Sequence, residues 1–241
     1  MLNMMIRFTT LCSTILACLV ALPATASIIE VNTGSGSFEL HANSMNIMGS
    51  TSPFLTSADL AVAHSILNDW GIDTNGKITI LPVHTDAGLS FLTLIDEETG
   101  GGDTGSNATL GITSTASSSL GMYINDATQD AWQLIQPPFG SQTLGATFAW
   151  GSEGSGDGFA WTDLAYCDSF SYSFNNLDGM DNAFDENAFQ FVSWGDEGWE
   201  VVSTNSFNAD GTHIFTGITI PGPPAALIIA ALALNRRRRR H

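Results

Sequence analysis

Short runs of alternating apolar and polar residues occupy most of the chain after residue 27, and long amphipathic repeats are missing. Glycine, serine, threonine, asparagine and aspartate separate these runs at intervals of about ten residues, which is typical of strands joined by turns. Such spacing predicts an all-β domain, either a β-sandwich or a jelly roll. Two of the strands, 77–83 and 89–95, are expected to pair across a turn at 84–88. The predicted strands cover residues 28–31, 38–48, 77–83, 89–95, 108–113, 121–124, 145–150, 159–165, 169–174, 189–194, 199–203 and 212–220.

One segment, residues 57–71, fits a helix as well as a strand. Ser57 is suited to cap a helix, and Gly71 is suited to end one. A strand over 60–67 fits the same residues, so the sequence leaves both structures open. Residues 126–136 have room for a single helical turn before two prolines stop it. The residues that would share one face of the first helix are Leu60, His64 and Leu67.

A short pattern, Trp-Gly-polar-Glu-Gly, occurs at residues 150–154 and again at 194–198, each time after an apolar run. Glycine adopts the positive φ angles that tight hairpin turns require. The two copies therefore predict similar hairpins in the two halves of the sandwich. Trp199 follows the second copy and stands beside Glu197 and Glu200, so it is the tryptophan that we expect to be exposed and able to stack on a sugar.

The first 26 residues have the three parts of a secretory signal peptide. Arg7 supplies the positive start, and an apolar run follows it. Ala24 and Ala26 are the small residues that signal peptidase accepts around a cleavage site. We therefore expect export, with cleavage by signal peptidase before Ser27.

A proline motif, an apolar segment and a basic block follow one another at residues 220–241. The ten apolar residues 225–234 would rise only about 15 Å as a helix, about half of a bilayer core. The basic block favours a transient stop at the cytoplasmic face of the membrane, and the alternative is a plain tail anchor. The motif contains Pro221, Gly222, Pro223 and Pro224, and the block contains Arg236, Arg237, Arg238, Arg239 and Arg240.

This order of motif, apolar segment and arginines resembles the PEP-CTERM sorting signal, in a variant with Pro-Gly-Pro-Pro where the family commonly has Pro-Glu-Pro. The resemblance covers residues 220–241 and implies processing by an exosortase, which is a membrane transpeptidase. It also implies a place at the cell surface or in the extracellular matrix of a Gram-negative-type bacterium, in association with exopolysaccharide. The chain then divides into a signal peptide at 1–26, a β-sandwich domain at 27–219 and a sorting tail at 220–241.

The charge of the domain limits its partners. All 24 acidic residues lie within residues 27–219, where Lys77 is the only Lys or Arg, so this segment carries a net charge of −23. Such a surface repels nucleic acid, because proteins bind nucleic acid through Lys and Arg side chains that neutralise its phosphates. Cations, neutral sugars and basic surfaces remain as partners, and matrix polysaccharide is among them. The alternative is that the carboxylates only keep the protein soluble.

Calcium is the metal ion that this composition favours, because it prefers carboxylate and carbonyl oxygens. The richest cluster of such ligands lies in the predicted loop 175–187, and a weaker cluster contains Asp69, Asp73 and Asn75. A solvated acidic loop is the alternative interpretation, since neither cluster fits an EF-hand. The residues predicted to bind calcium are Asp178, Asp181, Asp185 and Glu186.

Other motifs carry less chemistry. The glycine-rich loop 100–105 matches a dinucleotide-binding pattern, but the segment after it is polar and resembles a strand, so a hairpin loop is expected. Two of the three cysteines lie in the predicted signal peptide. Cys167 is therefore expected to be a buried thiol without an intrachain partner. The four histidines of the domain are scattered along the chain: His41, His64, His84 and His213.

No sequence motif for nucleophilic or zinc-dependent catalysis is present. The sequence therefore favours a non-catalytic protein of the cell surface or extracellular matrix, delivered through an exosortase-type signal. A secreted domain that binds or cleaves carbohydrate is the alternative, since paired carboxylates for glycoside hydrolysis become visible only in three dimensions.

Overall fold

Fourteen strands and one helix make up the part of the chain that this computed structural model describes: residues 26–48, 55–96, 109–117, 121–124, 131–138, 140–149, 157–175, 187–206 and 213–221. The elements are β1 (Ala26–Asn32), β2 (Ser37–His41), β3 (Asn43–Ser44), α1 (Ser57–Asp69), β4 (Ile78–Thr85), β5 (Gly88–Ile95), β6 (Thr109–Ala116), β7 (Gly121–Ile124), β8 (Ala131–Ile135), β9 (Gln142–Ala149), β10 (Asp157–Thr162), β11 (Ser169–Asn175), β12 (Phe189–Trp194), β13 (Trp199–Asn205) and β14 (His213–Pro221).

The strands form two sheets, which we name the outer sheet and the central sheet. The outer sheet has seven strands in the order β2-β1-β14-β11-β6-β9-β8, and all its pairs are antiparallel. The central sheet has the order β13-β12-β4-β5-β10-β7, and β3 also pairs with β4. It is a mixed sheet, because β4 runs parallel to both β12 and β3. The two sheets pack face to face, so the prediction of a sandwich is confirmed.

Aromatic side chains fill the space between the two sheets. Along β11, Phe170, Tyr172 and Phe174 point into the core, while the serines between them face away from it. The alternation follows from the strand period of two. Across the core, the fully buried Trp161 of the central sheet donates a hydrogen bond from Nε1 to Ser114 Oγ in the outer sheet, at 2.7 Å. This bond satisfies the indole N–H, which would otherwise be buried without a partner.

The central sheet is buried on both faces. Ile78 and Ile80 of β4 belong to the core between the sheets, whereas Leu81 and Val83 belong to a second core beneath the helix. A strand that is covered on both faces reads as a nearly continuous apolar run. Residues 78–83 are therefore all buried and do not alternate between buried and exposed positions. They lie in an inner strand of the central sheet.

Helix α1 covers the second face of the central sheet, so the helical alternative for residues 57–71 is confirmed. Its cap is Thr56, one residue before the Ser57 that the sequence indicated. The Thr56 side chain accepts a hydrogen bond from the Asp59 N–H at 3.1 Å, and the Thr56 N–H donates to Asp59 Oδ2 at 2.9 Å. This reciprocal capping box fixes the start of the helix. The buried face contains Leu60, Ala63, His64 and Leu67.

Two sequence-based predictions about local structure differ from the structure. In the segment 126–136, where a helical turn is predicted, residues 131–135 form strand β8, which pairs with β9 at the edge of the outer sheet, and residues 126–130 lie outside the described residues. The first Trp-Gly pattern is not a hairpin, because the strands on either side of it, β9 and β10, belong to different sheets. The second pattern does join a hairpin, β12 and β13, with Trp194 opposite Trp199.

Candidate binding surfaces

The face of the outer sheet that points away from the central sheet carries a continuous line of small polar side chains, which we name the polar row. Asn32 and Thr216 lie opposite each other on β1 and β14, and Ser171 lies beside Thr216 on β11. At about 4.8 Å from strand to strand, a row across six strands extends for about 24 Å. From β2 to β9 its members are Ser37, Asn32, Thr216, Ser171, Thr115 and Thr143.

Hydrogen bonds connect neighbours in the polar row. The Thr115 and Ser171 hydroxyl oxygens are 2.6 Å apart, and Asn32 Nδ2 donates to Ser37 Oγ at 3.0 Å. Each hydroxyl offers one donor and two acceptor positions, so these bonds leave further capacity for a ligand. The row is therefore a neutral surface that can both donate and accept hydrogen bonds.

Two shallow grooves lie on this same face. One has a volume of about 410 Å³ and is lined by five of the six members of the polar row, with Ile218 beside them. The other has a volume of about 480 Å³ and contains Thr113, Gln133, Thr147 and Asn175. Both volumes are within the range of small-molecule sites, but the grooves are open, and Glu30 of the first groove is their only charged lining residue. The face suits an extended neutral ligand better than a compact charged one.

A second surface is formed by three tryptophans, which we name the tryptophan corner: Trp70, Trp194 and Trp199. Trp70 follows the last residue of α1, and the other two flank the β12–β13 turn. The Trp70 and Trp194 ring centroids are 5.7 Å apart with an interplanar angle of 83°. Those of Trp194 and Trp199 are 5.5 Å apart at 81°. Edge-to-face contacts of this kind add stability beyond the area that they bury.

A glycine lets the turn approach the corner. Gly198 has φ of +134°, and a Cβ atom there would lie 2.2 Å from Trp70 Cζ3. Any larger residue would push the indole away. The two acidic residues just before this glycine, Asp196 and Glu197, are exposed. The turn therefore carries carboxylates to the edge of the aromatic cluster.

The exposed tryptophan of the corner is not the one predicted from sequence. Trp199 has an exposed fraction of only 5%, whereas Trp70 is 48% exposed. The prediction failed because Trp199, which pairs with Trp194 across the hairpin, belongs to the core beneath the helix. Trp70 was missed because the helix that places it was not certain from sequence. Its position directly before Gly71, at a helix end, was the available signal.

One histidine is buried in the second core. His64 is 2% exposed, and its Nδ1 lies 2.9 Å from Thr74 Oγ1. Its Nε2 is buried and has no hydrogen-bond partner among the described residues. Burial lowers the pKa of His64 to about 4, because the low-dielectric core disfavours the charged imidazolium. The side chain is therefore neutral at pH 7.

The residues predicted to bind calcium, Asp178, Asp181, Asp185 and Glu186, lie outside the described residues, as does the glycine-rich loop 100–105. Calcium binding there stays a prediction. In the weaker cluster, Asp73 Oδ1 accepts a hydrogen bond from the Asn75 N–H at 3.1 Å, within its own turn. Within the described ranges, no group of three or more His, Cys, Asp or Glu is placed to hold a metal ion.

The predicted processing sites lie at the limits of the described structure. Ala26 and Ser27 are the first two residues of β1, and Pro221 is the last residue of β14. Ala24 of the signal-peptidase site lies outside the described residues, and so does the rest of the sorting signal, from Gly222 to Arg240. Cleavage by signal peptidase and sorting by an exosortase stay predictions.

Cys167 differs from its prediction. It lies half-buried in the turn between β10 and β11, with φ of +69°, and it is disulfide-bonded. The other two cysteines lie in the predicted signal peptide. The expectation that Cys167 has no intrachain partner applies to the mature chain, from which this peptide is removed, and it stays a prediction.

Among the described residues, no helix is both long enough and apolar enough to cross a membrane. Comparison of the chain with models of protein families, with curated proteins and with solved structures found no significant match.

Proposed function

We propose that this chain is an exported, non-catalytic protein of the cell surface or extracellular matrix, processed by signal peptidase at its N-terminus and by an exosortase-like transpeptidase at its C-terminus. The mature domain is the acidic β-sandwich at residues 27–219. The sorting tail holds the chain at the membrane until it is processed.

The observation that carries this proposal is the pairing of the first strand with the last. β1 and β14 are the second and third strands from one edge of the outer sheet, and Ala26 pairs with Pro221. The two predicted processing points are therefore at the same corner of the sandwich. Cuts before Ser27 and near the proline motif would remove the end of this pairing at Ala26 and leave the pairs from Ile29 to Asn32 in place. This arrangement supports a domain that survives the removal of both signals.

Replacement of all five residues Arg236–Arg240 by glutamine tests the sorting tail. We expect the variant to be mislocalised or to keep its tail, because the cationic block is what holds so short an apolar segment at the membrane face. Fractionation with immunoblotting of surface, membrane and medium measures the outcome. A matched control changes the exposed Thr204 of β13 to valine. Unchanged surface display of the glutamine variant would contradict the proposal.

Binding of a neutral polysaccharide is a second candidate function, and the polar row favours it. A neutral sugar chain presents hydroxyls that both donate and accept, as the row does. The strand spacing of about 4.8 Å is close to the length of one hexose in an extended chain. Exposed Ile218 offers apolar contact beside the row. The net charge of −23 disfavours anionic glycans.

The double change Thr115→Val and Ser171→Ala tests this candidate. We expect about a tenfold or greater loss of affinity for a neutral glycan, because two hydrogen-bonding hydroxyls are lost at the centre of the row. A glycan array selects the ligand, and calorimetry measures its affinity for the exported protein. Thr204→Val on the other sheet is the matched control. Affinity that is equal in all three proteins would place binding elsewhere or exclude it.

A further inference from the structure

The tryptophan corner exposes aromatic surface to the solvent, mainly through Trp70 at the end of the helix. Trp70 is 48% exposed, and Trp194 is half-buried and packs against the second core. The contact with Gly198 covers part of the six-membered ring of Trp70, and the exposed remainder of that indole is free of the turn. Tryptophan is usually well buried, so an exposed indole marks a surface that is suited to contact a ligand.

The turn that contacts Trp70 fixes its surroundings. The Gly195 N–H donates to the Gly198 carbonyl at 2.7 Å, which closes the turn between Trp194 and Trp199. Asp196 and Glu197 lie at its exposed tip. On the other side, Asp69 directly precedes Trp70 at the exposed end of the helix. Carboxylates therefore border the corner from both of the elements that form it.

No cationic side chain of the described residues is available to pair with all of these groups. Lys77 is the only Lys or Arg between residues 27 and 219, and it already has an interaction of its own. The described residues therefore leave the carboxylates of the corner open to a cation from another molecule. The electrostatic potential of a domain with a net charge of −23 attracts cations of every kind, so the aromatic rings must decide which kind is retained.

We propose that the tryptophan corner binds a soluble quaternary ammonium compound. The negative face of an indole attracts a cation, and tryptophan is the best of the aromatic residues for this interaction. The methyl groups on the ligand nitrogen pack against the indole rings of the corner, which lie nearly perpendicular to each other. The carboxylates of Asp69, Asp196 and Glu197 balance the charge. A strongly hydrated divalent ion gains little from the indoles, so the site discriminates in favour of the alkylated cation.

The test uses the exported protein and follows the methyl resonance of choline by NMR, at an ionic strength held constant with sodium chloride. We expect saturable binding, with an upfield shift of the methyl signal from the ring currents of the indoles. The uncharged carbon analogue, 3,3-dimethylbutanol, has the same shape and is expected to bind at least fivefold more weakly because it lacks the cation–π attraction. Equal binding of the alcohol and choline would overturn the proposal.

Two variants locate the site. Trp70→Leu is expected to weaken choline binding by about tenfold, and Trp132→Leu, on exposed β8, is the matched control that leaves binding unchanged. Because Trp70 contacts the turn and its loss could disturb it, a second variant changes an exposed side chain. Glu197→Gln is expected to weaken binding by about threefold. Binding that persists unchanged in Trp70→Leu and in Glu197→Gln contradicts the proposal.

Discussion

Replacement of Trp161 by alanine is expected to lower the free energy of unfolding by about 3–5 kcal/mol, the cost of removing a large aromatic side chain from a core. Trp161 is fully buried between the two sheets. Its loss also leaves the Ser114 hydroxyl without the indole donor that now lies 2.7 Å away. Urea unfolding followed by circular dichroism measures the change.

Two further substitutions make this result specific. Trp161→Phe keeps most of the apolar contact and removes the hydrogen bond, so we expect a smaller cost of about 1–2 kcal/mol. Trp132→Ala, at an indole that is 37% exposed, is expected to cost much less than Trp161→Ala. A cost of less than about 1 kcal/mol for Trp161→Ala would contradict the packing of the two sheets around this indole.

Acid is expected to destabilise the domain through His64. The pKa of His64 is about 4 in the folded protein and about 6.5 in the unfolded chain. Between these values the unfolded state binds more protons, so stability rises with pH through this window and is lost as the pH falls. From pH 7 to pH 4 the contribution of this histidine falls by about 3 kcal/mol. Denaturant titrations at several pH values measure the slope.

His64→Leu separates this effect from the titration of the carboxylates. Leucine retains an apolar side chain on the buried face of α1 but cannot take up a proton. The difference in unfolding free energy between the original protein and the variant should therefore change by about 3 kcal/mol between pH 7 and pH 4. A difference that stays constant over this range would show that His64 is not held neutral in the second core.

The positions of most strands could be predicted from the sequence, because the inner strands of the outer sheet alternate between the core and the solvent. In β11, for example, serines alternate with aromatic residues. The assignment of strands to sheets could not be predicted in this way. The parallel pairing of β4 with β12 joins residues 78–80 to residues 189–191, and no local pattern encodes contacts so distant in the chain. For the same reason the sequence did not reveal that β9 and β10 lie in different sheets.

The candidate surfaces were less accessible to sequence reasoning than the strands. The polar row exists only when serine, threonine and asparagine residues from six strands are brought into register, so no single segment of the chain contains it. The tryptophan corner was half predicted: the second Trp-Gly pattern was identified as a hairpin, but its partner Trp70 comes from the helix. Trp199 was expected to be exposed because acidic residues flank it, whereas its position on the strand decides its burial.

The mass of the protein recovered from the cell surface tests the central claim most directly, because it reports both ends of the chain at once. We expect a mature chain that begins at Ser27 and lacks the arginine block Arg236–Arg240, and proteolytic peptide mapping identifies each terminus. Recovery of surface protein that begins at Met1, or that retains the five arginines, would contradict the account.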